Sequence, residues 1–158
     1  MSSTDRIEKF TVLNAPLERV WNAISDSESF GTWFGMRVDG PFVEGSTVSG
    51  VIAVTEVDDE VAERQRPYAG EPVTLDIVAV EPQRRFAFRW NPLPGSDLTT
   101  LVEFTLTDTA DGVQFRVVES GFEALPAEHR RSIFDGNSEG WALQMRLIAA
   151  FLAQPVQR

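Results

Sequence analysis

The most continuous hydrophobic pattern in the chain runs from Ser138 to Ala153. Trp141, Met145, Ile148 and Leu152 recur there at the spacing of one helical face, and Leu147 and Phe151 widen the stripe. Gln144 and Arg146 fall on the opposite side. Asn137 or Ser138 is placed to cap the first turn, because a short side-chain oxygen accepts an orphaned backbone N–H. Pro155 is placed to end the helix. A helix this apolar needs a broad surface to lie on.

Strand-like alternation supplies that surface. Arg6 to Asn14 reads as a first strand, with Ile7, Phe10, Val12 and Leu13 as its apolar members. Pro16 then opens a helix whose Leu17, Val20, Trp21 and Ile24 share one face. Asp26 or Ser27 caps a second short helix carrying Phe30, Trp33 and Phe34, and Gly35 ends it. Strands follow over Met36–Phe42 and Thr47–Glu56. Val57 to Gly70 is acidic, then basic, then Pro/Gly-containing, and is read as a long loop able to act as a lid. Four more strands come with clear turn punctuation. Val73–Glu81 places Val73, Leu75, Ile77 and Ala79 together, and Arg85–Asn91 does the same for Phe86, Phe88 and Trp90. Leu98–Thr107 aligns Val102, Phe104 and Leu106. After the Asp111-Gly112 turn, Val113–Glu119 aligns Val113, Phe115, Val117 and Glu119. Pro126 begins a short helical segment through Phe134, ahead of the long helix. The pattern is α+β: a curved antiparallel sheet of six or seven strands wrapped around a C-terminal helix, with two short helices after the first strand. Nothing divides residues 1–158 into more than one domain.

Composition narrows the chemistry. The chain has 158 residues, 42% of them hydrophobic, and its aromatics are dominated by eleven Phe. That suggests a core or cavity walled by flat apolar surface. The net charge of −10 argues against nucleic acid as a partner, since a duplex binder needs a cationic face. No apolar run is long enough to span a bilayer, so stable membrane insertion is not expected. The polar start, Met1 to Arg6, has no apolar segment directly after it, so a cytoplasmic protein is expected. The absence of cysteine removes thiol catalysis, disulfides and thiolate metal sites together.

The search for a catalytic constellation finds little. The one histidine, His129, sits in the charged run Glu128-His129-Arg130-Arg131 and reads as solvated. No Gly-x-Ser-x-Gly elbow, phosphate loop or dinucleotide fingerprint is present, and Asp58-Asp59-Glu60 lacks calcium-loop spacing. No metal and no cofactor is expected. Glu119 is the informative titratable residue, because strand parity puts it on the inner face with Phe115 and Val117. Two readings stay open: a polar group of a cavity, or a strand end accepting backbone N–H groups from the turn at Ser120-Gly121. The candidate ligand wall is Trp33, Phe34, Phe86, Phe88, Trp90, Phe104, Phe115, Glu119, Phe122, Trp141 and Met145. Aromatics at these spacings also suit a solid core. Arg37, Arg89, Arg116 and Tyr68 are further polar candidates, with Arg89 and Arg116 placed outward by parity.

Four stretches then fit one pattern. Ala15-Pro16-Leu17-Glu18-Arg19-Val20-Trp21 resembles the "APxExVW" opening of SRPBCC (START-like, Bet v 1-like) proteins, and Trp33-Phe34 resembles the aromatic pair after their second helix. Val80 to Trp90 is similar to the strand pair "v-x-P-x-x-r-l-x-f-x-W". Glu119-Ser120-Gly121-Phe122 followed by Gly140-Trp141 resembles the ending of the branch related to the activator of Hsp90 ATPase. The resemblance covers nearly the whole chain. It implies a helix-grip fold with an apolar cavity between sheet and C-terminal helix. Its members include lipid and hormone binders, polyketide cyclases and co-chaperones, so the fold leaves function open. The family turn "PGG" is replaced here by Gly40-Pro41-Phe42-Val43-Glu44-Gly45. The leading expectation is a non-enzymatic binder of a small hydrophobic or aromatic molecule. The alternatives are a cyclase- or hydrolase-type enzyme using the same cavity and a co-chaperone of a heat-shock ATPase. Homodimers are common among such domains.

Overall fold

In a computed structural model, which describes residues 5–154, the chain folds as one seven-stranded antiparallel sheet gripping a long helix. The strands are β1 (Arg6–Leu13), β2 (Met36–Val38), β3 (Thr47–Ile52), β4 (Pro72–Glu81), β5 (Arg85–Trp90), β6 (Thr100–Thr109) and β7 (Gly112–Ser120). Their order in the sheet is β1-β7-β6-β5-β4-β3-β2, so β1 and β2 form the two edges. The helices are α1 (Leu17–Ser25), α2 (Ser27–Phe34), α3 (Asp59–Gln65) and α4 (Ala127–Ala153).

Local chemistry sets the start and stop of each short helix. Pro16 precedes α1, which buries Val20, Ala23 and Ile24 while Trp21 stays half-buried. The Asp26 side chain caps α2 by accepting from the Ser29 N–H at 3.0 Å. Gly35 closes α2 in the left-handed region, at φ 91°, where a side chain would be strained. The Trp33 indole N–H reaches back to the Ala23 carbonyl at 2.8 Å and braces α2 against α1.

Sheet register agrees with the parity of the inner face. Phe86 pairs with Phe104 and Phe88 with Val102, and on the other side Phe104 pairs with Val117 and Leu106 with Phe115. Phe30, Trp33, Phe86, Phe88, Phe104, Phe115 and Phe122 are all fully buried. Phe104 is the hub, with its ring centroid 5.2 to 6.3 Å from those of Phe30, Phe86, Phe88, Phe115 and Trp141. α4 crosses this face and contributes Trp141, Leu147, Ile148 and Leu152.

Several expectations are corrected. The two C-terminal helical segments are a single 27-residue helix, with Pro126 and not Asn137 or Ser138 at its N-cap. Gly136, Asn137 and Gly140 look like breakers, but tertiary contacts override weak helix propensity. Within the described residues α4 stops after Ala153, and the Arg19 guanidinium donates to the Gln154 carbonyl at 2.6 Å; Pro155 lies outside them. β2 is three residues long and β3 ends at Ile52, both shorter than their patterns. β6 begins at Thr100, not Leu98. Phe10 and Val12 do not join the core. They lie on the outer face of β1, 63% and 48% exposed, because β1 turns Ile7 and Leu13 inward.

The stretch Val57–Gly70 is not a bare loop. It holds α3 and a following helical turn, Arg66–Tyr68. The Asp58 carboxylate caps α3 from the N–H groups of Glu60 and Val61, both at 3.1 Å, and meets the Arg146 guanidinium of α4 at 2.7 Å. Its carboxyl is held below the usual carboxylate range, first by the Val61 N–H and then by Arg146. A lowered folded value stabilises the docked form above the unfolded value and loses it as pH falls through the folded one. The Val61 amide resonance is therefore expected to respond at lower pH than an ordinary aspartate would make it. Asp58→Asn should abolish that response; an unchanged titration in the variant contradicts the assignment.

Candidate functional site

The strand register brings Trp90 at the end of β5, Thr100 at the start of β6 and Glu119 near the end of β7 to one corner of the inner face. Trp90 pairs with Thr100, and Glu119 pairs with Val102. α4 lies over this corner. Its Asn137, Trp141 and Gln144 follow at i, i+4 and i+7 and so form one stripe.

Glu119 is fully buried, and so is Thr100. The carboxylate accepts from the Trp141 indole N–H at 2.8 Å and the Trp90 indole N–H at 2.9 Å. The Thr100 hydroxyl donates at 2.6 Å. The Asn137 amide nitrogen spans both oxygens, at 3.1 and 3.2 Å. Every partner is placed as a donor, the complement that an acceptor-only ionised carboxylate requires. These donors are side chains from two strands and a helix, not the backbone of the Ser120-Gly121 turn. That turn points elsewhere, with the Gly121 N–H donating to the Asp5 carbonyl at 3.1 Å. Glu119 thus works as a clamp that fixes two indole rings against the sheet. Donors from four neighbouring side chains occupy the two carboxylate oxygens.

Beside the clamp is a pocket of about 120 Å³, lined by Phe34, Trp90, Gly136, Asn137, Gly140, Trp141 and Gln144. Trp90 and Trp141 stack with centroids 5.8 Å apart and planes 29° apart, and Phe34 sits 6.0 and 5.9 Å from them. The Phe34 carbonyl is where three helices meet. It accepts from the Gln65 side chain of α3 and from the Gln144 side chain of α4, both at 3.1 Å. Gln65 also accepts the Thr55 N–H at 2.7 Å, locking α3 to the same corner. Gln144 therefore faces inward, not to the solvent side suggested by the helical pattern. Its Oε1 is buried and has no hydrogen-bond partner.

A wider open groove of about 1030 Å³ lies between α2, β2, the end of β3 and the turn after α3. It mixes Arg37 and Arg66 with Glu28, Asp39 and Glu56 and has no buried polar group converging on it. The smaller pocket, with convergent polar groups on aromatic walls, has the character of a ligand site.

Of the sequence-selected residues, Phe34, Trp90 and Trp141 line the small pocket, and Glu119 lies directly behind it. Trp33, Phe86, Phe88, Phe104, Phe115 and Phe122 are fully buried in the core beneath, and Met145 is partly buried against it. Arg89 and Arg116 face outward, Arg89 to Thr99 and Arg116 to Glu8, while Tyr68 is exposed. His129 has a half-exposed side chain beside Glu128. Thr100, Asn137, Gln144, Gly136 and Gly140 are absent from the candidate wall that the pattern gives. Extending the Val102–Phe104–Leu106 face back by one alternate position reaches Thr100, and extending the helix past Ser138 reaches the others. Among the described residues no group of three or more His, Asp or Glu side chains could hold a metal ion, and no helix is long and apolar enough to cross a membrane.

The family model described as "Activator of Hsp90 ATPase homolog 1-like protein" matches residues 14–153, from the end of β1 to the end of α4. The chain belongs to this family. Solved structures show the same Bet v 1-like fold within and around it. Protein MLL2253 from Mesorhizobium loti superposes with a TM-score of 0.73 at 22% identity, covering 96% of this chain and 99% of that one. The Aha1 dimer from Colwellia psychrerythraea gives 0.67 at 15% identity, covering 93% and 95%. DynU16, described as a putative protein of the dynemicin biosynthetic locus, gives 0.70 at 23% identity. The match covers 94% of this chain but 47% of DynU16, so the chain spans about half of that protein. No curated protein matches the chain. Activator family membership fixes the fold and its helix-over-sheet architecture, and the identity of a ligand rests on the pocket itself.

Proposed function

We propose that the chain binds a small, flat, largely apolar molecule in the pocket between α4 and the sheet, without transforming it. The observation that carries this reading is the aromatic wall of Phe34, Trp90 and Trp141 held rigid by the buried Glu119 clamp. A site preorganised by such second-layer bonds loses less on binding. Its volume sets the scale: a cavity of about 150 Å³ lined by apolar groups takes benzene, so this pocket matches one ring or the end of a larger molecule. The neighbour DynU16, from the dynemicin biosynthetic locus, and the family's helix-over-sheet architecture support the same reading. Enzymatic use of the cavity has less support, because Glu119, the one buried carboxylate among the described residues, has donors on both its oxygens.

Gly140 supplies the test. A Cβ added there meets nothing within 4 Å, and the residue lines the pocket. Gly140→Leu should therefore fill the mouth while leaving α4 intact, with helix propensity improved by a few tenths to about 1 kcal/mol. Titration with benzyl alcohol, followed by NMR, is expected to shift the two indole N–H signals and the Gly136 and Gly140 amides in wild type. The variant should melt no lower and show none of these shifts. Saturable shifts persisting in Gly140→Leu, or their absence in wild type, would overturn the proposal.

A further inference from the structure

The two edges of the sheet are treated differently by the chain. β2 is three residues long, and α2 packs along it. Gly31 of α2 sits so close to the Met36 carbonyl that a side chain there would collide with it. β1 is the opposite case. It runs for eight residues, and among the described residues β7 is its one strand neighbour. Sheets normally blunt an edge of this length, because its open backbone groups are a template for another strand. Here the edge carries Phe10 and Val12, large apolar side chains left 63% and 48% exposed.

Register says which backbone groups face the open side. The Gly121 N–H donates to the Asp5 carbonyl, and the sides alternate along an antiparallel pair. Ile7, Lys9, Thr11 and Leu13 therefore bond to β7. Arg6, Glu8, Phe10 and Val12 turn their N–H and C=O groups outward from the sheet edge.

We infer that this edge pairs with β1 of a second copy of the chain, antiparallel about a two-fold axis at Phe10, so that two sheets join into one. The sequence of β1 fits itself in this register better than in its neighbours. Setting Glu8 opposite Glu8, or Lys9 opposite Lys9, opposes like charges across the strands, which destabilises the pair. Setting Thr11 opposite Thr11 avoids that but carries Glu8 beyond the end of the partner strand. With Phe10 opposite Phe10, Glu8 meets Val12 and Lys9 meets Thr11 on either side of the axis. The Phe10 pair and the Glu8–Val12 pairs each exchange two N–H···O bonds, about six in all. Phe10 and Val12 of both copies become diagonal neighbours on the outer face and leave water as one cluster. Glu8 keeps its ion pair with Arg116, so no carboxylate is stranded. Such a two-fold contact uses both β1 edges at once, and with α2 over β2 the assembly closes at two. That self-complementarity favours a second copy over a foreign peptide. The inference is independent of the pocket.

Sedimentation velocity on the full chain, from about 1 to about 500 μM, reads the mass. About 0.15 M salt shortens the reach of the repulsion between two chains of charge −10 to about 8 Å. The mass should rise from 17.6 kDa towards twice that value. Over the same range, amide exchange of Glu8, Phe10 and Val12 should slow at least about tenfold. Phe10→Lys places two ammonium groups across the axis at an exposed position. It should keep the wild-type indole N–H signals and stay at 17.6 kDa at every concentration. The chain has no cysteine of its own, so single cysteines report the register. Phe10→Cys should oxidise to a linked dimer, because directly opposed residues have Cα atoms about 5.5 Å apart, within disulfide reach. Val12→Cys should not, since its counterpart lies about 13 Å further along the strand. A chain that stays monomeric throughout, a dimer that survives Phe10→Lys, or a Val12→Cys link in place of the Phe10→Cys one would each overturn the inference. An extended peptide taken up along β1 by a chain that stays monomeric would overturn it too, and give the edge to another occupant.

Discussion

Glu119→Gln is expected to destabilise the fold by about 2–4 kcal/mol, read from the urea unfolding midpoint at unchanged slope. The substitution preserves shape and removes only charge and acceptors. A glutamine oxygen can serve some of the four donors, but its NH₂ must then face the others. At a fully buried position no water replaces the lost partner. Glu119→Ala adds a cavity to the same loss and should cost more, about 3–5 kcal/mol. Both figures are large against the 5–15 kcal/mol that holds a typical domain together. The indole N–H signals of Trp90 and Trp141 should broaden or multiply in Glu119→Gln, because the carboxylate is what fixes both rings. A loss under about 1 kcal/mol with sharp indole signals contradicts the clamp.

Phe104→Ala carries the second large effect, about 3–5 kcal/mol. Its ring is fully buried among those of Phe30, Phe86, Phe88, Phe115 and Trp141. Phenylalanines on an open cavity wall have neighbours on one side only, and truncating one merely enlarges the cavity. Phe104 has neighbours around it, so its removal forfeits both transfer energy and dispersion contacts. A loss below about 1.5 kcal/mol, accompanied by binding of larger ring compounds, would show that this part of the interior is cavity wall and not packed core.

The fold was largely legible because its signals are local and redundant. Period-two alternation placed Phe86, Phe88, Val102, Phe104, Phe115, Val117 and Glu119 on the face they occupy. Asp26 and Gly35 bounded α2 as their side-chain and backbone chemistry demands. The failures have a common cause. Asn137, Gly136 and Gly140 weaken an isolated helix, and tertiary contacts, the Asn137 bond to Glu119 of β7 among them, carry α4 through them. Phe10 and Val12 are apolar residues that the sheet turns outward, a choice made by register and invisible to composition. The site was half legible. The sequence marks out the aromatic residues and Glu119 but not which rings border empty space, since packing at the corner of β5, β6 and β7 decides that. The helix pattern puts Gln144 opposite the apolar stripe, since it gives faces but not the depth of the neighbouring element.

α4 follows the whole sheet in the chain, and that order has a consequence for how the protein is made. Until Asn137 and Trp141 have been synthesised, Glu119 has only Trp90 and Thr100 to meet it. Over the same interval the aromatic face of Phe86, Phe88 and Phe104 has no helix to cover it. β1 likewise waits for β7, as the pairing of Arg6 with Ser120 requires. Such long-range closures make folding slow and leave sticky intermediates exposed while the chain grows. The growing chain therefore keeps its aromatic face open to other chains until the last turns of α4 have left the ribosome.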